Sequence, residues 1–286
     1  MKPAKFQYHA PKTIDQALAI LAEVGPGDGR VLAGGQSLVP MMAFRLARPA
    51  HLVDINGVDA LRRLEVEDGK LCIGACVRHA SFQRLVEPGP LGQLLSLVVR
   101  HIAHHPIRTR GTFCGSIAHA DPASEWCAVA ATLGAEMVAR STRGTRVVAA
   151  DDFFAGIMTT TLAEDELLTE VRLPLLPDGT RVGFYEFSRR AGDFAIAMAV
   201  TTYRLSGGSM ADPRVAVGGA EPKPRRLTAA EQALSGQPPE IASFKAAAER
   251  ASASVDPMED ATTGADYRRD LVGTVVRRAL ERAAGS

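Results

Sequence analysis

Two glycine-bearing stretches, VLAGGQSLVP at 31–40 and RGTFCGSIAHAD at 110–121, restrict this chain more than anything else in it. Each sets glycines and small hydroxyl side chains between apolar flanks. A glycine has no Cβ, so its peptide can approach a ligand closely, and consecutive N–H groups there form a concavity suited to phosphate oxygens. Gly34, Gly35, Gln36 and Ser37 offer such donors in the first stretch, and Thr112, Gly115 and Ser116 repeat the arrangement in the second. Neither stretch is G-x-G-x-x-G or G-x-x-x-x-G-K-[ST], so a Rossmann dinucleotide site and a P-loop are both unsupported. Taken singly, each is either an ordinary tight turn or half of a nucleotide site. A pair on different lobes suits a diphosphate gripped between them.

The surrounding residues alternate between strand and helix signals. Phe6 and Tyr8 lie in a short extended stretch, and Thr13 with Gln16 forms a capping-box pattern ahead of the stripe Ile14, Ala17, Leu18 and Leu21, which predicts a helix over 14–23. Val31-Leu32-Ala33 and His51-Leu52-Val53-Asp54-Ile55 read as buried strands on either side of the first loop. LEVEDGKLCIGACV reads as two alternating strands joined by Asp68-Gly69, a hairpin turn signal. A helix over 91–104 is expected to end near His105, because Pro106 disfavours helix in the residue before it. A helix over CAVAATLGA, a hairpin over EMVARSTRGTRVVAA and a strand over ELLTEVRL follow. FYEFSRR, AIAMAVTTYRL and PRVAVGG then alternate as an antiparallel sheet, with helical character at 241–255 and 266–283. The fold class is α+β: small N-terminal lobes over 1–56 and 57–176, and a C-terminal domain over 177–286 of three strands plus helices.

Composition narrows the function. With 33 basic against 32 acidic residues and a formal charge of +1, there is no electrostatic reason to expect nucleic acid or an anionic membrane as a partner. No apolar run reaches the roughly 18 residues of a membrane helix, and the start MKPAKFQYHAPKT lacks the apolar region of a signal peptide, so a cytoplasmic location is the default. The four cysteines, Cys72, Cys76, Cys114 and Cys127, have neither paired CxxC spacing nor the close spacing that holds an iron–sulfur cluster, and read as free thiols.

AGGQSLVPMMAFRLARPAHLVDIN and IRTRGTFCGSIAHADPASEWCAVAATLGAE strongly resemble the two flavin-binding signatures of the FAD-binding, or medium, subunit of molybdenum hydroxylases, the carbon monoxide dehydrogenase and xanthine dehydrogenase family. FSRRAGDFAIA is similar to a third segment, at the start of that family's C-terminal domain. The resemblance runs in order along nearly the whole chain. It implies two FAD-binding lobes of the vanillyl-alcohol-oxidase (PCMH) type and an electron-transfer role. A large partner subunit with molybdopterin would oxidise substrate, a small one with two [2Fe–2S] clusters would relay electrons, and FAD on this chain would pass them on, in a dimer of heterotrimers. The acceptor stays open among NAD, a quinone, a small electron-transfer protein and oxygen. FAD exchanges one or two electrons, which suits such a junction.

Carried over by position, the first signature implies that Ala33, Gly34, Gly35, Gln36, Ser37 and Leu38 line the FAD diphosphate. The second implies the same of Thr112, Gly115 and Ser116, with Ile102 or its neighbour near the flavin ring. His119, Asp121 and Glu125 follow where the family places an acid on the adenosine half, and Glu125 matches that acid best. Leu167 or Leu168 should pack on the flavin, and Tyr185 stands where some members have a lysine near the ring. Two departures stand out: Cys114 replaces a glycine in the second cradle, and Tyr185 removes a positive charge. No catalytic residue is expected. The alternatives are a stand-alone FAD oxidoreductase on this fold and a scaffold that has lost the cofactor.

Other residues have plainer readings beside their sharper ones. His101, His104 and His105 sit at helical i, i+3, i+4 spacing, but without a matching carboxylate or Cys a metal is not expected. Arg189-Arg190 with Asp193 either face the flavin or acceptor or form a surface ion-pair group. Met41, Met42 and Phe44 read as core beneath the first loop, and Trp126 as packing at a lobe interface.

Overall fold

The computed structural model describes residues 2–285. The chain opens with β1 (Gln7–His9) and α1 (Ile14–Val24). The capping pair forms: Gln16 N donates to Thr13 Oγ1 at 3.2 Å, and Lys12 N donates to Gln16 Oε1 at 2.9 Å. Ala17, Leu18, Leu21 and Val24 then bury one stripe of α1. After β2 (Gly29–Leu32), the first glycine loop leads into α2 (Leu38–Ala43) and on to β3 (His51–Asp54). The three strands pair in parallel in the order β1-β3-β2, with α1 as the crossover that parallel pairing requires. Six residues of α2 are too few to show a helical period, which is why the sequence shows only a loop there.

The next sheet begins with the hairpin of β4 (Leu64–Glu67) and β5 (Lys70–Gly74). Asp68 and Gly69 have φ of 49° and 72°, the pair of left-handed residues such a two-residue turn needs. The helix expected over 91–104 is shorter: α3 (Pro90–Val98) stops well before the proline. Pro106 instead opens a single turn, α4 (His105–Arg108), where its missing N–H is harmless. His101, His104 and His105 therefore share no helical face, and among the described residues no three metal-binding side chains converge.

The second glycine stretch runs into α5 (Phe113–His119), followed by α6 (Glu125–Leu133) and the hairpin of β6 (Glu136–Ser141) and β7 (Gly144–Ala149). The turn α7 (Ala150–Phe153), the small pair β8 (Phe154–Gly156) and β9 (Thr159–Thr160), and β10 (Leu167–Pro174) complete the region. The sheet order is β4-β5-β10-β6-β7. Trp126 is fully buried beneath it, with ring centroids 4.8 Å from Phe113 and 5.2 Å from Phe82.

The last sheet holds β11 (Arg181–Phe187), β12 (Ala197–Ser206), β13 (Ser209–Gly218) and a two-residue edge strand, β14 (Arg225–Arg226). It is antiparallel with four strands rather than three, because two residues carry no alternation for the sequence to reveal. Helices α8 (Thr228–Leu234), α9 (Ile241–Ser254) and α10 (Ala265–Ala284) cover one face. Alternate residues of β12 serve two cores. Met198 and Val200 join the continuous core that also holds Leu18, Ile73, Trp126 and Val171, whereas Ala197, Ala199 and Tyr203 pack with α8, α9 and α10. No described helix is long and apolar enough to cross a membrane.

Candidate functional site

A cavity of about 720 Å³ opens where the two glycine stretches meet, within the size range of small-molecule sites. Ala33, Gly34, Gly35, Gln36, Ser37 and Leu38 form one wall, and Thr112, Gly115, Ser116, His119, Asp121 and Glu125 form another. Ile102, Leu167 and Leu168 add apolar surface, and Gly192, Asp193 and Phe194 reach in from the C-terminal sheet's β11–β12 connection. Tyr185 is the exception. Successive β11 side chains point to opposite faces, so Phe184 enters the first core while Tyr185 turns toward α10, its ring 5.4 Å and 4.6 Å from the Arg278 and Arg282 guanidinium carbons. It does not line the cavity, so the position gives the cavity neither a phenol nor a lost lysine.

The first loop is a set of uncommitted donors. The N–H groups of Gly35, Gln36, Ser37 and Leu38 have no acceptor among the described residues, and the Ser37 hydroxyl caps nothing. Gly35 sits at φ 69°, where a Cβ is disfavoured, and a Cβ on Gly34 would lie 2.5 Å from the Arg110 carbonyl oxygen and 2.6 Å from Gly111 Cα. Gly34 is thus required because the second stretch presses directly against it. Gln36 Nε2 donates to the Gly34 carbonyl at 2.9 Å and steadies the loop from within.

The second stretch is a capped helix start. Gly115 N donates to Thr112 Oγ1 at 3.0 Å, Ser116 N to the Thr112 carbonyl at 3.1 Å and Phe113 N to the Val77 carbonyl at 3.0 Å. Most of its donors are already engaged. Cys114 lies inside α5 with helical backbone, and its thiol is buried and donates to the Ile73 carbonyl at 3.2 Å. A Cβ there is accommodated because it points into the core, and burial raises the thiol's pKa so that it stays protonated.

Three residues that the sequence did not single out hold the loops in place. Asn56 Nδ2 donates to the Ala33 carbonyl at 2.7 Å, while Asn56 Oδ1 accepts from the Arg78 guanidinium at 2.6 Å. Arg78 also donates to the Arg110 carbonyl, so one Asn–Arg pair ties the first loop to the second. Beneath them His79 is 4% exposed and borders the cavity, its Nδ1 accepting from Trp126 Nε1 at 2.9 Å. An indole N–H can only donate, which fixes the neutral ring with its proton on Nε2. Burial, reinforced by the Arg78 and Arg108 charges, lowers the His79 pKa to about 4. No motif marks His79; a single buried Trp whose N–H needs an acceptor was the one available hint.

Acids gather at the other end. Asp121 is occupied in a turn, Oδ1 accepting from Ala123 N at 2.9 Å. Glu125, in the first turn of α6, has its pKa raised to about 7 by loss of solvent and by Asp121. Glu186 is raised to about 8 by burial and by Glu125, with Oε2 unpartnered.

An FAD molecule fits these residues: a glycine cradle of free N–H donors for an anionic diphosphate, apolar side chains for a planar ring, and the Glu125 carboxyl group in the cavity wall for ribose hydroxyls. Residues 4–176 match the family described as FAD binding domain in molybdopterin dehydrogenase, and residues 183–283 match CO dehydrogenase flavoprotein C-terminal domain. The chain belongs to this family of FAD-binding subunits of molybdopterin dehydrogenases, and its cofactor is FAD. It is 37% identical to nicotine 6-hydroxylase medium subunit of Paenarthrobacter nicotinovorans, over 99% of each chain, and 38% identical to caffeine dehydrogenase subunit beta of Pseudomonas sp. strain CBB1, over 99% of this chain and 96% of that one. A chain of the carbon monoxide dehydrogenase structure from Hydrogenophaga pseudoflava superposes with a TM-score of 0.93 at 37% identity, covering 100% of this chain and 99% of that one. The protein is an oxidoreductase subunit.

Proposed function

We propose that this chain is the FAD-carrying electron-transfer subunit of a heterotrimeric molybdenum hydroxylase, assembled with a large molybdopterin subunit and a small [2Fe–2S] subunit as a dimer of heterotrimers. Its FAD takes electrons from the clusters and passes them to an external acceptor. The observation that carries this reading is the run of four free N–H groups in a cavity shared by two loops, on a chain whose four thiols are all buried. Among the described residues no three metal-binding side chains converge, which supports the reading that electrons reach this chain from another polypeptide.

Bound FAD would supply the switch between one-electron and two-electron transfer. The chain's residues do the rest. Gly35, Gln36, Ser37 and Leu38 would donate to the diphosphate, Ser116 would add a hydroxyl, and Glu125 would accept from ribose hydroxyls. Ile102, Leu167 and Leu168 would exclude water from the ring. The buried, protonated thiols fit a reducing cytoplasm, and this reading assigns the two lobes to 1–56 and 57–176 and the C-terminal domain to 177–286.

The test is to co-express the chain with the products of its neighbouring reading frames and purify through a tag on this chain. The expected result is a complex with absorbance near 450 nm that bleaches when the substrate of the large subunit is added. A chain that purifies alone and oxidises a substrate by itself would overturn the assignment.

A further inference from the structure

We infer that the Nε2–H group of His79 donates a hydrogen bond to the flavin half of the cofactor, between the diphosphate cradle and the ring; this rests on the assignment of the first loop to the diphosphate. The rest of His79 is committed to protein. Its main-chain N donates to the Gly111 carbonyl at 3.0 Å, and Nδ1 accepts from Trp126 Nε1 at 2.9 Å. Nε2 has no acceptor among the described residues, yet it is not one of the buried polar atoms sealed inside the protein. His79 lines the cavity, so the cavity is the space that Nε2 opens onto. When a ligand displaces water there, the donor is left unpaired unless the ligand supplies an oxygen.

The donor is aimed from behind. Trp126 is fully buried against Phe113 and Phe82, so the indole that sets the imidazole's tautomer is itself held in place. A Cβ on Gly111 would lie 2.5 Å from Nε2 and 2.6 Å from Cδ2, so the ring can occupy this position only beside a glycine. Such fixed presentation lowers the ordering cost of binding. Neither neighbouring cation replaces it. Arg78 is held by Asn56 and the Arg110 carbonyl, Arg108 Nη1 donates to the Ile102 and Ala103 carbonyls at 2.8 and 2.7 Å, and the unpartnered Arg108 Nε is sealed away from the cavity.

Position along the cavity selects the half of the cofactor. Gly111 stands between Gly34 and the imidazole: its Cα is the atom that a Cβ on Gly34 would meet at 2.6 Å, while a Cβ of its own would meet His79. Nε2 therefore lies directly behind the junction of the two loops. The Ile107 carbonyl oxygen is 3.2 Å from that same Gly111 Cβ position, and Ile102, Ala103 and Ile107 continue the cavity wall on this side. The acidic end is elsewhere. Asp121 is the charge that acts on Glu125, whereas the charges that act on His79 are Arg78 and Arg108. Between the ring and the diphosphate, a flavin nucleotide offers ribityl hydroxyls and the phosphate oxygens attached to them, and these are the acceptors Nε2–H suits.

Two substitutions split the ring's two functions. Asparagine sets an amide oxygen where Nδ1 stands but is too short to reach Nε2, whereas glutamine reaches Nε2 with an N–H and gives up the acceptor for Trp126. In the full-length chain, co-expressed with its partners and stripped of FAD, His79→Asn should keep Tm within about 2 °C of the parent, weaken FAD and FMN by about 10-fold and leave competition by ADP unchanged. His79→Gln should lower Tm by about 3 °C and hold FAD within about threefold. Parental FAD affinity in His79→Asn overturns the proposal, as does equal weakening of FAD by both variants or equal weakening of FMN and ADP. Should His79→Asn fail to fold, Gly111→Ala displaces the ring without removing it and should weaken FMN by the same factor; parental FMN affinity there overturns the proposal. Gly34→Val separates this inference from the one beneath it. If that variant keeps parental FAD affinity, the cradle assignment fails, and the His79 pair still reports whether the donor meets the flavin half.

Discussion

The two glycine stretches look alike in sequence and are built differently. The first is glycine by necessity: Gly35 lies at positive φ, Gly34 touches backbone on both sides of a peptide, and the donors stay free. The second is a helix N-terminus whose donors are largely satisfied by Thr112 and Val77, and a side chain at Cys114 fits it without strain. In the proposed reading the first is the ligand cradle, and the second is the wall against which it is set. Similar small residues serve two physical purposes, backbone approach in one place and helix capping in the other.

Gly34→Val attacks the point where the two meet. Its Cβ would strike the Arg110 carbonyl oxygen and Gly111 Cα, backbone atoms that cannot rotate away, so the loops must part. FAD affinity of the purified chain should fall by about 100-fold or more, measured by the ratio of absorbance near 450 nm to that of protein after dialysis. Parental affinity would show that the walls need not touch. Next in size is a pH effect from His79, which lies beneath the two loops. His79 is neutral in the fold, with a pKa near 4 against about 6.5 unfolded, so the unfolded chain binds the proton first. The His79 contribution to stability should fall as pH drops from about 6.5 to 4, by about 3 kcal/mol. Glu125 acts oppositely: its pKa near 7 exceeds the unfolded value near 4.5, so its contribution improves as pH falls through that window. Urea midpoints of the parent and His79→Gln at pH 5 and 7 separate the two, because only the His79 slope disappears.

Smaller effects distinguish necessity from capping directly. Gly35→Ala puts a Cβ at φ 69° and 3.1 Å from Leu32 and Val39 methyl carbons, which should cost about 1–2 kcal/mol and weaken FAD with it. Thr112→Ala removes the cap of α5 for about 1 kcal/mol, and its loss should appear in Tm, by about 2–4 °C, more than in FAD content. Equal effects of the two on FAD would erase the distinction between cradle and wall.

What the sequence shows and hides follows from the range of the forces involved. Thr13 with Gln16 and Asp68-Gly69 act within a few residues, so α1 and the β4–β5 hairpin were readable. The cavity-lining residues on both glycine stretches were found through long motifs. Short elements without a full period, α2 and β14, left no signal, and Pro106 was ambiguous between ending one helix and starting another. Tyr185 was placed near the ring by resemblance, but which face a strand residue takes depends on what covers it, here α10. Asn56, Arg78 and His79 act on residues 23, 32 and 47 positions away, through contacts no local pattern records.

Cys114 gives the smallest effect and the most direct test of the asymmetry. If the second stretch were a cradle like the first, a side chain in place of glycine would crowd the ligand, and trimming it would tighten FAD. If it is a wall, the thiol belongs to the core: Cys114 is 1% exposed, on helical backbone, and bonded to the Ile73 carbonyl of β5. Cys114→Ala then removes one buried atom and a weak hydrogen bond, lowering stability by about 1 kcal/mol and leaving FAD affinity within about twofold of the parent. An affinity gain of tenfold would mean that the side chain opposes the ligand and that both stretches act alike. Cys114 borders the cavity but is 1% exposed with its thiol committed to the Ile73 carbonyl, so a fall in Tm without a change in affinity is the expected result.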